Sequence, residues 1–498
     1  MNLARRTPTS QWSAATLWML AAAGCVPYGD AEEPPAPADL PQEYAAPGGE
    51  TASRGTTRQP LGALDVEWWR VFEDAGLDSL EERALAGNFS LRAAWTRIEQ
   101  AQALARQASA PRWPQVLPQS QASWQRSGSG FFQSTINLSA SVPVQYEVDW
   151  FAKYKGQAQA AEFEAQAARA EVGAAAMSLS ANVAEAWYDL VEARARQALL
   201  EEQIESNETF LELTVLRFRQ GLTSALDTHQ QRQQVAATRA QLRLVQAQQE
   251  LQENQLAVLV GEPPTGEDKP VAPPRDALPE LEPLPRTGVP ADLLVNRPDV
   301  RAAMKRVQAS DEQVAAAIAD HLPSLVLSAS AGYAWQRIEL RGDGTGTGGL
   351  GGSRHGAEYT AGADLTIPLF DGFQRKAQID LRRAQLREEV ADYRDTLQQA
   401  MLEVENAVTQ EQRELDRIED LEEQVEAASD ALESARDRYR QGLTDFLNVL
   451  TALQGQQEAA LTLLSARRQL LSHRIQLHRA LGGTWTQDME PPPPMETP

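Results

Sequence analysis

The chain has 498 residues, enough for two or three average domains or one large elongated one, and 42% of them are apolar. No stretch supplies about 18 uninterrupted apolar residues, which argues against a membrane-spanning helix. The formal net charge is -23, with 69 acidic and 46 basic residues. That balance argues against nucleic acid and anionic membrane surfaces as partners.

The N-terminal segment has the plan of a bacterial secretory signal. Two arginines precede an apolar run over residues 14–23, and a glycine then leads to Cys25, the single cysteine. Small residues before a cysteine resemble a lipobox, so we expect a lipoprotein signal peptide over residues 1–24 and acylation of Cys25. Val26 after the cysteine resembles outer-membrane sorting. An ordinary cleaved signal is the alternative, because Ala22 stands where a lipobox usually has leucine.

Proline-rich stretches divide the rest of the chain. Residues 25–61 are rich in Pro, Ala, Gly and Glu, which predicts a flexible tether. A second such stretch over 262–290 predicts a linker, and residues 483–498 predict a disordered tail. Between them lie two halves of similar length, 62–261 and 291–482.

The two halves repeat one another. "RFRQGLTSALD" begins at Arg217 and "RYRQGLTDFLN" begins at Arg438, 221 positions later. Other segments match at a similar spacing, so the chain is a tandem duplication. The second half is longer by about eleven residues in an interval that contains "RGDGTGTGGLGGSRHG". Within this interval we expect "GDGTGTGGLGG", over residues 342–352, to be a mobile loop between two strands.

Each half contains a long stretch without proline. The next proline after Pro143 is Pro263, and the next after Pro368 is Pro491. Both stretches are dense in Ala, Leu, Gln, Glu and Arg, which favour helices.

The repeated eleven-residue segment supplies a break in each helical stretch. We predict a long helix, a tight turn at Gly221 or Gly442, and a helix returning antiparallel. The first helix, over residues 151–219, would reach roughly 100 Å at about 1.5 Å per residue. That length suits a tube better than a compact domain.

Strand patterns precede each helical stretch. From 132 to 148 the even positions are mostly apolar and the odd positions polar, a period of two. Residues 115–126 alternate less cleanly, and faces running over 325–335 and 359–369 predict a third and a fourth strand. Long strands with one apolar face are typical of outer-membrane barrels.

Four strands are too few to close a barrel, since even small barrels need about eight. An open sheet edge in lipid would leave backbone groups without hydrogen bonds. Several chains must therefore contribute to one barrel if these strands span a bilayer. The alternative is a soluble sheet with one solvated face.

Three segments carry a resemblance to a known family. They are "WWRVFEDAGLDSLEERALAGNFSLRAAWTRIEQA" from Trp68, "YEVDWFAKYKGQAQAAEFEA" from Tyr146 and "VPADLLVNRPDVRAA" from Val289. In this order the sequence resembles a TolC-type outer membrane factor of the NodT-like efflux lipoprotein branch, over about residues 62–482. Asn296 departs from the pattern, because the family usually has arginine there.

The resemblance implies a fold of mixed α and β class. Three chains with four strands each would form a twelve-stranded β-barrel, continued by a long periplasmic α-helical barrel. The protein would be a lipid-anchored, membrane-spanning homotrimer in outer membrane lipid, extending into the periplasm. It would serve as the channel of a tripartite efflux system with a periplasmic adaptor protein and an inner-membrane efflux transporter. Drugs, metabolites or metal ions would pass through it passively.

The resemblance also assigns roles to the two hairpin tips. The residues expected to dock the adaptor are Gly221, Leu222, Thr223, Gly442, Leu443 and Thr444. The residues expected at a periplasmic gate are Asp227, Arg438, Tyr439 and Leu447. Thr451 stands where relatives often carry an acid, so the acidic ring would be weaker or supplied from elsewhere. The structural alternative for these residues is helix capping and surface charge.

Other functions have less support. A duct for protein secretion would share the fold, whereas a non-channel coiled-coil scaffold would not need the strands. His473 and His478 are five positions apart and do not stack on one helix face, so we predict no metal site. "GDGTGTGGLGG" lacks the Gly-Lys-Ser/Thr ending of a phosphate loop. No nucleophile and base stand together, so we expect neither an enzyme nor a cofactor.

Overall fold

The computed structural model describes residues 67–128, 132–264, 277–281, 292–341 and 351–492. The predicted signal peptide, Cys25 and the predicted tether lie outside the described residues, as does most of the predicted linker. Among the described helices, none is both long and apolar enough to cross a membrane.

The described part of the first half holds four α-helices and three strands. A 3-10 turn at Trp68–Phe72 precedes them. In chain order they are α1 (Ala75–Gly87), α2 (Phe89–Ser109), β1 (Gln115–Val116), β2 (Gln119–Ser127), β3 (Phe132–Val148), α3 (Lys153–Arg219) and α4 (Ala225–Leu259).

The second half repeats this order. It holds α5 (Leu293–Asn296), α6 (Pro298–Ala319), β4 (Ser324–Arg341), β5 (Gly351–Thr366), α7 (Gln374–Arg440) and α8 (Phe446–Leu481). A 3-10 turn at Thr484–Gln487 follows. The same sequence of helix, strands and helical hairpin therefore appears twice, as the duplication predicts.

Two compact units form the described structure, and neither coincides with a sequence half. One unit contains Gln100–Ala165 and Lys305–Ala391, which include the five strands that the structure describes. The other contains the described parts of residues 35–99, 166–304 and 392–498, which are helical. Each half contributes to both units, because the long helices α3 and α7 belong to both.

The strands form one antiparallel sheet. β1 and β2 both pair with β3, β3 pairs with β4, and β4 pairs with β5. The pairs Val116↔Val144 and Gln119↔Ser141 keep the same register, so β1 and β2 act as one strand interrupted at Pro118. Proline has no N–H to donate to the ladder, which explains the break. Four strand positions therefore lie side by side, as predicted.

The glycine-rich segment differs from the prediction of a loop over its whole length. Residues 342–350 lie outside the described residues, but Gly351 and Gly352 belong to β5. Gly351 pairs with Glu339, and Gly352 pairs with Ile338. The alternation of side chains gave no signal there because glycine has none, whereas the backbone of β4 offers hydrogen bonds to any residue. β5 ends at Thr366, two residues before Pro368.

The two long helices have 67 residues each, so each is about 100 Å long. Asp149 begins α3 by accepting hydrogen bonds from the backbone N–H groups of Tyr154 (3.1 Å) and Lys155 (2.8 Å). Asp371 has the same role before α7, where it accepts from the N–H of Arg375 at 3.1 Å. These caps satisfy donors that the first helical turn leaves free.

The core of the helical unit gathers around the middle of α3. Trp187 is fully buried and donates a hydrogen bond from Nε1 to Asp74 at 2.9 Å. Asp74 also accepts from the N–H groups of Gly76 and Leu77, so one carboxylate caps α1 and holds it against α3. A Cβ at Gly76 would lie 2.8 Å from the Trp187 ring, so only glycine allows this approach.

Candidate functional site

Each helical hairpin reverses through the same turn. In the first, Gly221 has φ +74°, its N–H donates to the Phe218 carbonyl at 2.9 Å, and the Leu222 N–H donates to the Arg217 carbonyl at 2.9 Å. In the second, Gly442 has φ +76°, and the equivalent bonds are 3.0 and 2.9 Å long. This pair of bonds is a Schellman motif, whose left-handed residue is usually glycine. We call these two turns with their flanking helix ends the tips.

A short hydrogen-bonded motif follows each turn. In the first tip, the Thr223 hydroxyl and the Ser224 N–H both donate to the Asp227 carboxylate, and the Asp227 N–H donates back to the Ser224 hydroxyl at 3.3 Å. This is a capping box that begins α4. In the second tip, Asn448 Nδ2 donates to the Thr444 hydroxyl at 2.7 Å. The tips thus share one geometry, but the first carries a carboxylate where the second carries an amide.

Both tips present leucine side chains to solvent. Leu222 and Leu226 on the first tip and Leu443 and Leu447 on the second are each more than half exposed. Exposed apolar groups in equivalent places on two tips suit contact with another protein. The predicted docking residues therefore lie at the surface, together with Leu226, which sequence reasoning did not single out.

An arginine–tyrosine stack joins the two tips. The Arg217 guanidinium lies 4.3 Å from the centre of the Tyr439 ring. Tyr439 is only 5% exposed and packs against Phe446, with the ring centres 5.7 Å apart. This distance is within the range of a cation–π interaction. Sequence reasoning missed Arg217, although its equivalence to Arg438 in the repeated segment could have found it.

A cluster of apolar side chains supports Tyr439 from within the second hairpin. Its other buried members are Leu432, Phe446, Val449, Leu450 and Leu453. The cluster also includes Phe210 of α3, and the Arg436 guanidinium lies 4.7 Å from the centre of that ring. The tip of the second hairpin is therefore packed against the first hairpin.

The predicted gate residues have different surroundings in the single chain. Asp227 bonds within its own turn, and Tyr439 is buried beneath Arg217. Arg438 and Leu447 are exposed. Thr451 donates its hydroxyl to the Leu447 carbonyl at 2.9 Å, a bond inside its own helix. The chain by itself does not bring Asp227 and Arg438 into an ion pair.

Polar side chains connect the hairpins further from the tips. Gln457 of α8 donates from Nε2 to Asn207 Oδ1 at 3.1 Å, and Gln203 donates to the Gln457 carbonyl at 3.3 Å. Gln454 donates to Gln234 of α4 at 2.7 Å. These amide contacts fix the register of α8 against the first hairpin.

Exposed aromatic side chains flank the sheet where the strands give way to the helices. In the unit that holds the sheet they are Trp113, Trp150, Phe151, Phe370 and Phe373. Aromatic girdles of this kind border the apolar band of outer-membrane barrels. Across the described ranges, no group of three or more His, Cys, Asp and Glu residues is placed to hold a metal ion.

Comparison with known proteins assigns the chain to a family. A family model described as outer membrane efflux protein matches residues 80–262 and 289–483. The chain belongs to the outer membrane efflux protein family. The pyoverdine export outer membrane protein OpmQ of Pseudomonas aeruginosa is 30% identical over 449 residues, which cover 86% of this chain and 90% of that protein.

Other relatives match this chain over nearly its whole length. The antibiotic efflux pump outer membrane protein ArpC of Pseudomonas putida is 28% identical and covers 95% of both chains. Among solved structures, the outer-membrane channel OprN has a TM-score of 0.78 at 26% identity, covering 92% of this chain and 99% of that one. VceC of Vibrio cholerae has a TM-score of 0.72 at 29% identity, covering 84% and 98%.

These matches confirm the predicted TolC-like fold with its internal duplication. They also confirm that this efflux protein is an outer membrane channel that extends into the periplasm. The role of Cys25 and the roles of the individual tip residues stay predictions.

Proposed function

We propose that three copies of this efflux protein form one outer membrane duct, which receives small molecules from an inner-membrane transporter through a periplasmic adaptor. The observation that carries the proposal is the sheet with two open edges. Within the described residues, β1 and β2 pair only with β3, and β5 pairs only with β4. Lipid cannot satisfy those edges, so strands of other copies must.

Three chains with four strand positions each give the twelve strands of a closed barrel. A barrel of that size exceeds the roughly eight strands whose side chains fill the interior, so it leaves an aqueous passage. The duct has no energy source of its own, and its cargo moves passively. Relatives are named for pyoverdine export and for antibiotic efflux. Drugs and metabolites are the cargo classes proposed here, with metal ions as a further class.

The adaptor docks on the tips. The backbone turns at Gly221 and Gly442 present leucines in equivalent positions, at Leu222 and Leu443. Three chains would supply six such turns to one ring. The partly exposed threonines that follow, Thr223 and Thr444, complete a surface that an apolar helical hairpin of an adaptor can cover.

The gate is proposed at the same end of the duct. Asp227 and Arg438 would form contacts between neighbouring hairpins in the closed ring. The exposed Leu447 would narrow the aperture, and Tyr439, buried beneath Arg217, would support the tip near the constriction. Exposed ion pairs contribute only about 0.2–1 kcal/mol each, so docking of an adaptor could open such a ring. Asp227 already accepts hydrogen bonds from Thr223 and Ser224, which hold its carboxylate in place at the first tip.

Two substitutions separate capping by Asp227 from its charge. Asp227→Asn keeps an oxygen that accepts from Ser224 but removes the charge, whereas Asp227→Ala removes both. A gate role predicts that both variants, and Arg438→Ala, raise the conductance of the closed channel in planar bilayers. If Asp227→Asn and Arg438→Ala conduct like the unchanged protein, the gate assignment is wrong.

The experiment that tests the proposed function is the mass of the native complex. Outer membranes are extracted in mild detergent, and the complex is analysed before and after heating. We expect a trimer that withstands detergent and separates into monomers on boiling. A monomer or dimer absent from the membrane fraction would contradict the shared barrel. Labelling with a radioactive fatty acid, in the unchanged protein and in Cys25→Ser, tests the proposed acyl anchor in the same preparations.

A further inference from the structure

We propose that the guanidinium of Arg438 stacks on the Phe218 ring of a neighbouring copy of this chain, closing the ring of tips. The inference rests on the proposed trimer and adds a contact to it. Its template is the stack of Arg217 on Tyr439 inside one chain.

The template residues have exact counterparts in the other half. Arg438 occupies the place of Arg217 in the repeated segment, and Phe218 occupies the place of Tyr439. All four residues lie in the last turn of a 67-residue helix, and both helices end in the same Schellman turn. Backbone geometry therefore presents the two pairs in the same way.

Only one of the two arginine–aromatic stacks forms within a chain. Tyr439 is 5% exposed beneath Arg217, whereas Phe218 is 46% exposed and Arg438 is exposed as well. An aromatic ring left in water at the position where its counterpart is buried is an unpartnered surface. Within one chain, Arg217 of the first hairpin covers Tyr439 of the second. Arg438 of the second hairpin is therefore a free arginine face, and Phe218 of the first is a free aromatic face.

These two free faces complement each other. A contact between unlike faces of identical chains is heterologous, and such contacts generate a closed ring when the rotation closes. Each chain has two equivalent hairpins, so stacks within a chain and stacks between chains would alternate around that ring. The occupant of the Phe218 face is therefore a second copy of this chain, which presents Arg438.

The chemistry of the two aromatic side chains supports the pairing of Arg438 with Phe218. The Tyr439 hydroxyl lacks a hydrogen-bond partner among the described residues, so the stack uses the ring face and not the hydroxyl. Phenylalanine offers the same face without the hydroxyl. Arginine over an aromatic face within about 6 Å is attracted by the ring quadrupole.

The test is cysteine cross-linking of the native complex. The Arg217→Cys/Tyr439→Cys variant serves as the matched control, and a bis-maleimide is chosen whose length joins that pair within one chain. The same reagent is then applied to Arg438→Cys/Phe218→Cys, to both single variants and to the unchanged protein, which shows any reaction of Cys25. Products are separated after heating in detergent.

We expect Arg438→Cys/Phe218→Cys to give covalent dimers and trimers, and the control pair to give cross-linked monomers. The single variants should give neither. A native trimer whose Arg438→Cys/Phe218→Cys form stays monomeric after heating, while the control pair reacts, would overturn the contact and leave the proposed function standing. Absence of any native oligomer would overturn both.

A second measurement does not depend on the cross-linker. In the trimer, a bulky maleimide should label Phe218→Cys several-fold more slowly than Leu222→Cys, and heat dissociation should remove the difference. Adding Arg438→Ala should speed labelling at position 218 in the trimer. Equal labelling of positions 218 and 222 in the trimer contradicts the contact.

Discussion

The Arg474 guanidinium on α8 binds the Glu411 carboxylate on α7 with both side chains withdrawn from solvent. Nε lies 2.9 and 3.1 Å from the two carboxylate oxygens, and Nη2 donates a further hydrogen bond. The side chains are 2% and 0% exposed. Breaking a buried pair on one side leaves an uncompensated charge, which costs about 3–5 kcal/mol.

Glu411→Leu should therefore destabilise the helical unit by about 3–5 kcal/mol. The double variant Glu411→Leu/Arg474→Met should recover much of this loss, because no charge is left buried. Thermal denaturation of the purified protein in detergent, followed by circular dichroism, measures both. Asp416→Asn, in an exposed pair with Arg413, is the control and should leave the midpoint unchanged. A double variant as unstable as Glu411→Leu would contradict the reasoning.

The tip glycines should resist replacement by alanine. Gly221 and Gly442 have φ near +75°, and a Cβ at either would meet nothing within 4 Å, so the cost is backbone strain alone. We expect Gly221→Ala and Gly442→Ala to cost about 1–2 kcal/mol each. Gly455 lies inside α8 with equal open space, so Gly455→Ala should stabilise the helix by up to about 1 kcal/mol. Limited proteolysis at the tips compares the three, and equal sensitivity of all three variants would refute the strain argument.

Glu81 gives the helical unit a dependence on pH. Burial raises the pKa of its carboxyl well above the usual 4.5, and the neighbouring carboxylates of Asp78 and Glu67 raise it further. The folded state then holds a proton that the unfolded state loses above pH 4.5. The stabilisation that this group contributes is fully present below pH 4.5. It is lost as the pH rises from there through the pKa of the folded state, by about 1.4 kcal/mol per pH unit.

Glu81→Gln removes that titration. At pH 7 the variant should be more stable than the unchanged protein, and the advantage should shrink as pH falls toward 4.5. Thermal midpoints of the two proteins at several pH values measure the difference. A difference that stays constant with pH would show that Glu81 does not titrate as burial requires.

His478 makes stability depend on pH in the opposite direction. Burial, with a smaller contribution from the positive charge of Arg474, lowers the pKa of His478 to about 3. Its ring stacks on Trp68, with the ring centres 5.5 Å apart, and both of its nitrogens lack a hydrogen-bond partner among the described residues. Stability from neutral His478 is complete above pH 6.5 and is lost toward pH 3, by about 1.4 kcal/mol per pH unit.

His478→Phe keeps a ring against Trp68 and cannot take a proton. We expect it to denature at a lower pH than the unchanged protein in an acid titration followed by tryptophan fluorescence. Glu81→Gln should not share this gain, which separates the two groups. Identical acid midpoints for His478→Phe and the unchanged protein would count against a buried neutral imidazole.

The long helices could be predicted closely because their signal is local. Absence of proline and the density of helix formers predicted a helix over 151–219, and α3 runs over Lys153–Arg219. Period-two alternation likewise predicted the strands where side chains differ in polarity. The signal failed at Gly351 and Gly352, where glycine offers no alternation and the hydrogen bonds of β4 decide the structure.

The site was predicted less completely than the fold. The repeated segment located both tips, and the turns at Gly221 and Gly442 follow from glycine in a left-handed conformation. The stack of Arg217 on Tyr439 was missed, since no rule of local spacing relates residues on different hairpins. The hydrogen bonds of Asp227 to Thr223 and Ser224 match the capping alternative that sequence reasoning kept open.

The sequence by itself determined the periods and the position of each turn, because these depend on neighbouring residues. It also showed the duplication, because the two halves can be compared letter by letter. Only the tertiary structure decided which of two equivalent arginines is stacked and which is exposed. Arg217 meets an aromatic ring and Arg438 does not, although both stand in the same repeated segment. The reason is that one chain contains two hairpins and therefore a single interface between them, so the equivalent surface on the other side of each hairpin is left for another chain.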